Sequence, residues 1–240
     1  MSASLIARMA RIERLEEILD VEFKNISLLK EALTHRSYLN EHPDWPLPQN
    51  ERLEYLGDAV LELVVSDELF RLYPSSQEGQ LTSLRAALVN YQMLAKVAHA
   101  MMLDDYLYLS RGETRDQGKA REVILANAVE AVLGAVYLDG GYAAVKEVVE
   151  KFVLVRLSEV LANELYRDPK SSLQEMIQEK HKITPSYKVL SEEGPDHSKN
   201  FSIGVYAGST LLAKGSGASK QEAETAAAQA ALQAIYEKEK

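Results

Sequence analysis

The sequence predicts a multidomain protein, an all-α domain followed by a small α+β domain of order α-β-β-β-α, and three observations carry that prediction. From Ser4 to about Tyr166, apolar residues recur three and four apart with few glycines inside the runs. Around Arg167-Asp-Pro-Lys-Ser-Ser172 this pattern stops, because Pro169 cannot continue a helix and the Asp/Ser cluster can cap a new one. Beyond it the apolar period shortens to two over three stretches flanked by helical spacing. The boundaries are read as 1–166 for the helical domain, 167–171 for a linker and 172–240 for the α+β domain.

Element by element, the spacing predicts helices over 4–18, 26–34, 50–72, 78–101, 119–137 and 141–163. They are separated by the Pro-rich His42–Pro48, by Tyr73-Pro74 and by Asp139-Gly-Gly141. After the linker come a short helix from Ser172 to about His181, strands over 186–190, 201–206 and 210–214, and an Ala-rich helix over Ser219–Tyr236.

The 240 residues, 46% hydrophobic and 26% charged, exclude collagen-like, disordered and disulfide-scaffold classes. The absence of cysteine excludes thiolate metal sites and Cys nucleophiles and agrees with a reducing compartment. Arg8 and Arg11 precede any apolar stretch long enough for a signal peptide, and no apolar run of membrane-spanning length is read, so a soluble cytoplasmic protein is expected. The net charge of −9 taken alone argues against a nucleic-acid binder. It is unevenly spread: residues 168–240 hold 9 Lys, no Arg and 10 acids, so 18 basic and 26 acidic residues lie in the helical part.

Within Asn50–Glu62, Glu54 and Asp58 stand at i and i+4 on one helical face, beside Leu53, Leu56, Val60 and Leu61 and with no Lys or Arg at the same spacing. Two acids held close at the edge of a core repel each other unless a cation neutralises them. In Ile124–Asp139, Asn127 and Glu130 at i and i+3 interrupt an otherwise apolar helix. Two helices presenting such oxygens inward would suit Mg²⁺ or Mn²⁺. The same spacing also serves an ordinary solvated helix face, and periodicity does not decide between the two.

The segment Asn50-Glu-Arg-Leu-Glu-Tyr-Leu-Gly-Asp-Ala-Val-Leu61 resembles the signature of the ribonuclease III family. Ala32–Tyr38, Glu78–Arg85 and Ile124–Asp139 resemble that family's other blocks in the same order. The C-terminal part resembles a double-stranded-RNA-binding domain through Ser172–Glu175, Gly194 to Phe201, and Gly215–Lys220 before the Ala-rich helix.

The resemblance implies a Mg²⁺-dependent endoribonuclease, with Mn²⁺ substituting, that cuts double-stranded RNA to 5′-phosphate and 3′-hydroxyl ends as a homodimer and acts in rRNA and mRNA processing. It assigns Asp58 and Glu130 as catalytic, Glu54, Asn127 and Glu130 as metal ligands, and Glu51 to a supporting part near the dimer seam. Position 127 departs from the pattern, since the family usually has Asp there. An amide keeps a ligating carbonyl oxygen but removes a charge. The alternative is therefore a double-stranded-RNA-binding protein whose cleavage Asn127 impairs. For RNA binding the resemblance implies Gln174, Glu175 and Gln178 on one minor groove, His197 on the next with Lys199 nearby, and Lys220 on the phosphates between. Arg111 and Arg115, with Lys119 and Arg121, form a basic stretch suited to an RNA backbone or to plain solvation. His35, in the Thr-His-Arg-Ser-Tyr block, is read as structural or RNA-proximal rather than metal-binding. The apolar faces around Tyr55 and Leu56, or Leu81–Ala87, are the candidate dimer surfaces.

Overall fold

A helix whose apolar residues surround it on all sides has to lie at the centre of its domain, and 119–152 is that helix. The structure, a computed structural model, describes residues 12–115, 118–194 and 199–238. The chain divides into two units, Met1–Tyr166 and Arg167–Lys240.

The first unit contains α1 (12–19), α2 (Ile26–Ala32), α3 (Arg36–Glu41), α4 (Glu51–Leu72), α5 (Glu78–Val89), α6 (Tyr91–Ala100), α7 (Arg111–Arg115), α8 (Lys119–Phe152) and α9 (Leu157–Ala162). Residues 4–11 of the predicted first helix lie outside the described residues. On α8, Leu125, Ala126, Ala128, Val129 and every residue from Ala131 to Val136 are buried, with α4, α6 and α2 packed around it. By length and composition the stretch Lys119–Ala162 is apolar enough to cross a membrane, which the sequence reading did not anticipate. Most of its apolar residues are buried in this core. Between the predicted helices 119–137 and 141–163 the axis breaks at Gly141, whose φ of 77° is in the region open to glycine. Asp139, just before the break, accepts from the backbone N–H groups of Lys24 and Asn25, both at 2.8 Å, and so ties the kink to the segment that starts α2.

Helix α4 matches the predicted 50–72 to within a residue, but elsewhere tertiary contacts redraw the boundaries. The predicted helix 78–101 is two, because Asn90 turns extended (ψ 157°) and its side chain caps α6 by accepting from Met93 N–H at 2.9 Å. Helix α3 was not predicted. His35 caps it, and Tyr38 stacks on His42 at 3.9 Å between ring centroids, beside Trp45 and Tyr108. The basic stretch read as loop includes the short helix α7.

The second unit is α10 (Pro169–His181), β1 (Ser186–Glu193), β2 (Asn200–Ala207), β3 (Thr210–Gly217) and α11 (Lys220–Lys238), the expected α-β-β-β-α order. The three strands form an antiparallel sheet in sequence order. Helix α10 starts three residues earlier than read, so 169–171 of the predicted linker form its first turn. Asp168 accepts from Ser171 N–H at 2.9 Å, and Pro169 sits where a missing N–H costs nothing. Leu173, Ile177, Val205, Ala227, Ala228 and Ala231 make the core. The Ala run follows from close packing, since a Cβ on Gly215 would lie 2.1 Å from the backbone nitrogen of Ala227.

Candidate functional site

Helices α4 and α8 meet backbone to backbone. A Cβ on Gly57 would lie 1.7 Å from the carbonyl oxygen of Glu130, and one on Gly134 would lie 2.3 Å from the carbonyl oxygen of Leu53. No side chain fits between them, so residues flanking the glycines are brought unusually near one another. On α4 those are Glu54 and Asp58, and on α8 they are Asn127 and Glu130.

The electrostatics report that proximity. Glu130 is half-buried, and its carboxyl is pushed up to about 8, first by burial and then by repulsion from Asp58 and Glu54. Glu54 is also raised, by burial first and by Glu51 and Asp58, against a hydrogen bond from the Asn127 amide and the more distant Arg36 charge. Asp58 is exposed at the open edge. Glu51, whose charge also acts on Glu54, accepts from Gln49 Nε2 at 3.0 Å and faces Arg36 at 3.6 Å. The crossing thus gathers three carboxylates and an amide.

Among the described residues no three His, Asp or Glu side chains converge closely enough to hold a metal ion unaided. The donors at the crossing are nevertheless all oxygen, and the mutual repulsion that raises Glu130 and Glu54 is relieved by a hard divalent cation. The donor set fits such an ion. A cavity of about 450 Å³ is lined by Glu54 and Asn127 together with His35, Arg36, Glu51 and Glu113.

Of the basic stretch, Arg111 and Arg115 are exposed on α7, with the Arg111 backbone N–H donating to the Glu41 carboxylate. Lys119 lies over the Tyr91 ring at 5.8 Å. Arg121 turns inward to pair with Asp104 and does not present its charge to solvent. In the second unit Gln174, Glu175 and Gln178 share the exposed side of α10, with Gln178 Nε2 donating to Thr184 Oγ1 at 3.3 Å. Lys220, at the start of α11, pairs with Glu192 at 3.2 Å and lies 5.6 Å over the Phe201 ring. Ser219 and Glu222 cap that helix reciprocally, the Glu222 N–H donating to Ser219 Oγ and the Ala218 N–H to Glu222 Oε2. Lys199 is half-buried just before β2, and His197 lies outside the described residues.

Sequence reasoning missed the two crossing glycines and the Glu113 wall. The glycines had a visible signal, since Gly57 and Gly134 each interrupt a strongly apolar helix where glycine weakens it. Glu113 had none. It reaches the cavity because Tyr108 pairs with Thr34 across more than seventy residues of chain.

Comparison with known proteins agrees with both units. The family described as Ribonuclease-III-like matches residues 25–157, and the double-stranded RNA binding motif matches residues 169–235. A protein named Ribonuclease 3 from Dehalococcoides mccartyi is 44% identical over 94% of this chain and 95% of its own length. One of the same name from Carboxydothermus hydrogenoformans is 45% identical over 92% and 94%. Among solved structures, the nuclease domain of ribonuclease III from Campylobacter jejuni, described as having structural flexibility in a region involved in dimer formation, covers 59% of this chain and 95% of its own. It superposes with a TM-score of 0.54 at 42% identity.

Proposed function

We propose, because this chain belongs to the ribonuclease III family, that its α4–α8 crossing is the divalent-metal site of an endoribonuclease which hydrolyses double-stranded RNA to 5′-phosphate and 3′-hydroxyl ends. The chain is an endoribonuclease with a double-stranded-RNA-binding domain. The observation that carries the site assignment is the pair of glycines that lets α4 and α8 approach so closely that the Asp58 and Glu54 charges act on the Glu130 carboxyl.

Glu54, Asn127 and Glu130 are the residues that would hold Mg²⁺, or Mn²⁺ in its place, and the ion would supply charge neutralisation at the phosphodiester and a more acidic attacking water. Asp58, on the exposed edge, orients that water in line with the leaving 3′ oxygen and takes its proton. The phosphorus–O3′ bond breaks, and the 3′ oxygen leaves with a proton taken from solvent water. Glu51 steadies the N-terminal turn of α4 through Arg36 and Gln49. Gln174, Glu175, Gln178, His197 and Lys199 would meet the duplex minor groove and Lys220 its phosphates, with Arg111 and Arg115 adding backbone contacts.

The active unit is a homodimer. Tyr55 is 82% exposed, Phe70 70% and Leu63 57%, and these apolar side chains lie with Ala59 along α4. An apolar stripe of this kind needs a cover, and a two-fold partner supplies the same stripe. We place the protein in the cytoplasm, processing ribosomal and messenger RNA, in keeping with its lack of cysteine.

The test is cleavage of a long RNA duplex in Mg²⁺ by this chain and its Asn127→Asp and Asp58→Asn variants, with end groups read by phosphatase sensitivity and ligation. Cutting by the unaltered chain, abolished by Asp58→Asn, supports the reading. Binding without cutting until Asn127 becomes Asp favours a duplex-binding protein with impaired cleavage. Sedimentation of Tyr55→Asp tests the dimer, which this change should dissociate.

A further inference from the structure

We propose that the cavity between His35 and Glu54 is a ribose subsite, in which the His35 Nε2–H donates to the 2′-hydroxyl oxygen of a nucleotide beside the scissile bond while the Glu113 carboxylate accepts that hydroxyl's proton. The inference rests on the endonuclease reading above and names the part of the substrate that this side of the site selects.

The tautomer of His35 follows from its neighbours. Its Nδ1 accepts from the Ser37 backbone N–H at 3.3 Å and lies 2.8 Å from Ser37 Oγ. Because Nδ1 accepts from that backbone N–H, the Ser37 hydroxyl, whose oxygen accepts from the Ser110 N–H at 3.1 Å, donates its hydrogen to Nδ1. With Nδ1 accepting, the ring proton is on Nε2, which has no hydrogen-bond partner among the described residues. Burial pushes the imidazole below its usual range and favours the neutral ring, against the opposing charges of Glu113 and Glu51 and with Arg36 and Arg121 acting in the same direction as burial. The ring lines the cavity as a fixed, uncharged donor.

The walls choose the ligand. With Glu54 and Asn127 assigned to the cation, the other charged side chains lining the cavity are Glu51 and Glu113 against Arg36, which is itself paired with Glu51, so a phosphate is directed to the cation and not to these groups. A neutral group that both donates and accepts finds a complement in imidazole N–H and carboxylate, and an RNA duplex displays such a group, the 2′-hydroxyl, along its minor groove. The wall is rigid on the His35 side. His35 N–H donates to the Tyr108 carbonyl at 3.1 Å, and buried Asn50 fastens the start of α4 to this segment through its N–H to Thr34 and its Nδ2 to Ala32. The subsite is therefore fixed relative to Glu54 one turn further along α4.

The test is a cycle between protein and substrate. His35→Asn keeps the acceptor that caps α3 but is too short to replace Nε2–H. It is paired with duplexes carrying a single 2′-deoxy nucleotide at each position flanking the cut. With the unaltered chain, one position should lower kcat/KM about tenfold when deoxy, the size of one hydrogen bond. His35→Asn should lose about tenfold on the all-ribose duplex and under about twofold more on that deoxy duplex. A residue that only stabilised α3 would leave the deoxy penalty unchanged. Should His35→Asn fail to melt cooperatively, Glu113→Gln carries the same cycle and should likewise shrink the penalty at that position. Deoxy penalties that neither variant alters, or no sensitive position at all, overturn the proposal. An unaltered chain that leaves the all-ribose duplex uncut refutes the endonuclease reading itself, which that control distinguishes.

Discussion

Gly57→Ala is expected to damage this protein in two separable ways. The new methyl would begin 1.7 Å from the carbonyl oxygen of Glu130 and 2.9 Å from the Gly134 nitrogen, both backbone atoms that cannot swing aside. Ordinary contact needs roughly 3.5 Å, so α4 and α8 must part by more than an ångström at their crossing. Overpacking of this kind costs about 1–3 kcal/mol or more, and the roughly 1 kcal/mol helix propensity gained from alanine offsets only part of it. For a unit of this size each kcal/mol lost lowers the melting temperature by about 2–4 °C. The chemical effect should be larger, because Glu54 and Asp58 are carried away from Asn127 and Glu130, and displacement by an ångström costs on the order of a hundredfold in rate. Gly79→Ala is the control, since nothing lies within 4 Å of its Cβ. Thermal melting and duplex-cleavage kinetics on the three proteins decide the matter. A Gly57→Ala protein with unchanged melting temperature and unchanged kcat/KM would refute the claim that this contact assembles the site.

Asn127→Asp removes the amide donor from Glu54 and adds a fourth negative charge. It should lower the melting temperature without divalent ions while lowering the Mg²⁺ concentration for half-maximal cleavage roughly tenfold, both read by titration. Glu130 has a folded-state pKa raised to about 8 from an ordinary 4.5, so its contribution to stability is present below about pH 4.5 and is lost as pH rises through about 8. In chelator, Glu130→Gln should therefore melt higher than the unaltered chain at pH 8 and the two should converge near pH 4, although the variant no longer cuts. Lys220→Ala should weaken duplex binding for all sequences and reduce the salt slope by about one. Glu192→Gln, which frees Lys220 from its carboxylate partner, should tighten binding by no more than about fivefold because the pair is exposed.

The elements legible in the sequence are those whose own side chains stabilise them. Helix α4 declares itself because Leu53, Val60, Leu61, Val64, Val65 and Leu69 recur at the helical period, and the same regularity set Glu54 and Asp58 on one face. The strands show because Ile203, Val205 and Ala207 alternate with residues on the opposite face. What stayed hidden depends on partners distant in the chain. Helix α3 is six residues long and persists through the His35 cap and an aromatic group that includes Tyr108. The break at Asn90 was legible in principle, since Asn followed by an apolar helical run is a capping signal, but the apolar period runs through it unbroken. The pairing of α4 with α8 has no local signature beyond two glycines. Only the assembled crossing brings Glu54 close enough for its charge to act on Glu130.

One helix serves both halves of the proposed activity, and its geometry couples them. On α4, Tyr55 and Ala59 each follow an acid, Glu54 and Asp58, by one residue, which is about 100° around the axis. The acids turn toward α8 while the apolar stripe turns to solvent. In the proposed dimer the stripe is covered by its two-fold copy, which sets a second group of carboxylates on the far side of the symmetry axis, one for each strand of a duplex. A change that rotates α4 about its axis then acts on both surfaces together, whereas one that only lifts it off α8 acts on the acids alone. Substitutions at Tyr55 should lower cleavage through loss of the dimer, whereas Gly57→Ala should lower it with the dimer retained, because its clash lies on the opposite, α8-facing side of the helix. Sedimentation and cleavage measured on the same two proteins separate these routes. A Tyr55→Asp monomer that still cut both strands at the unaltered rate would break the link between the stripe and the chemistry.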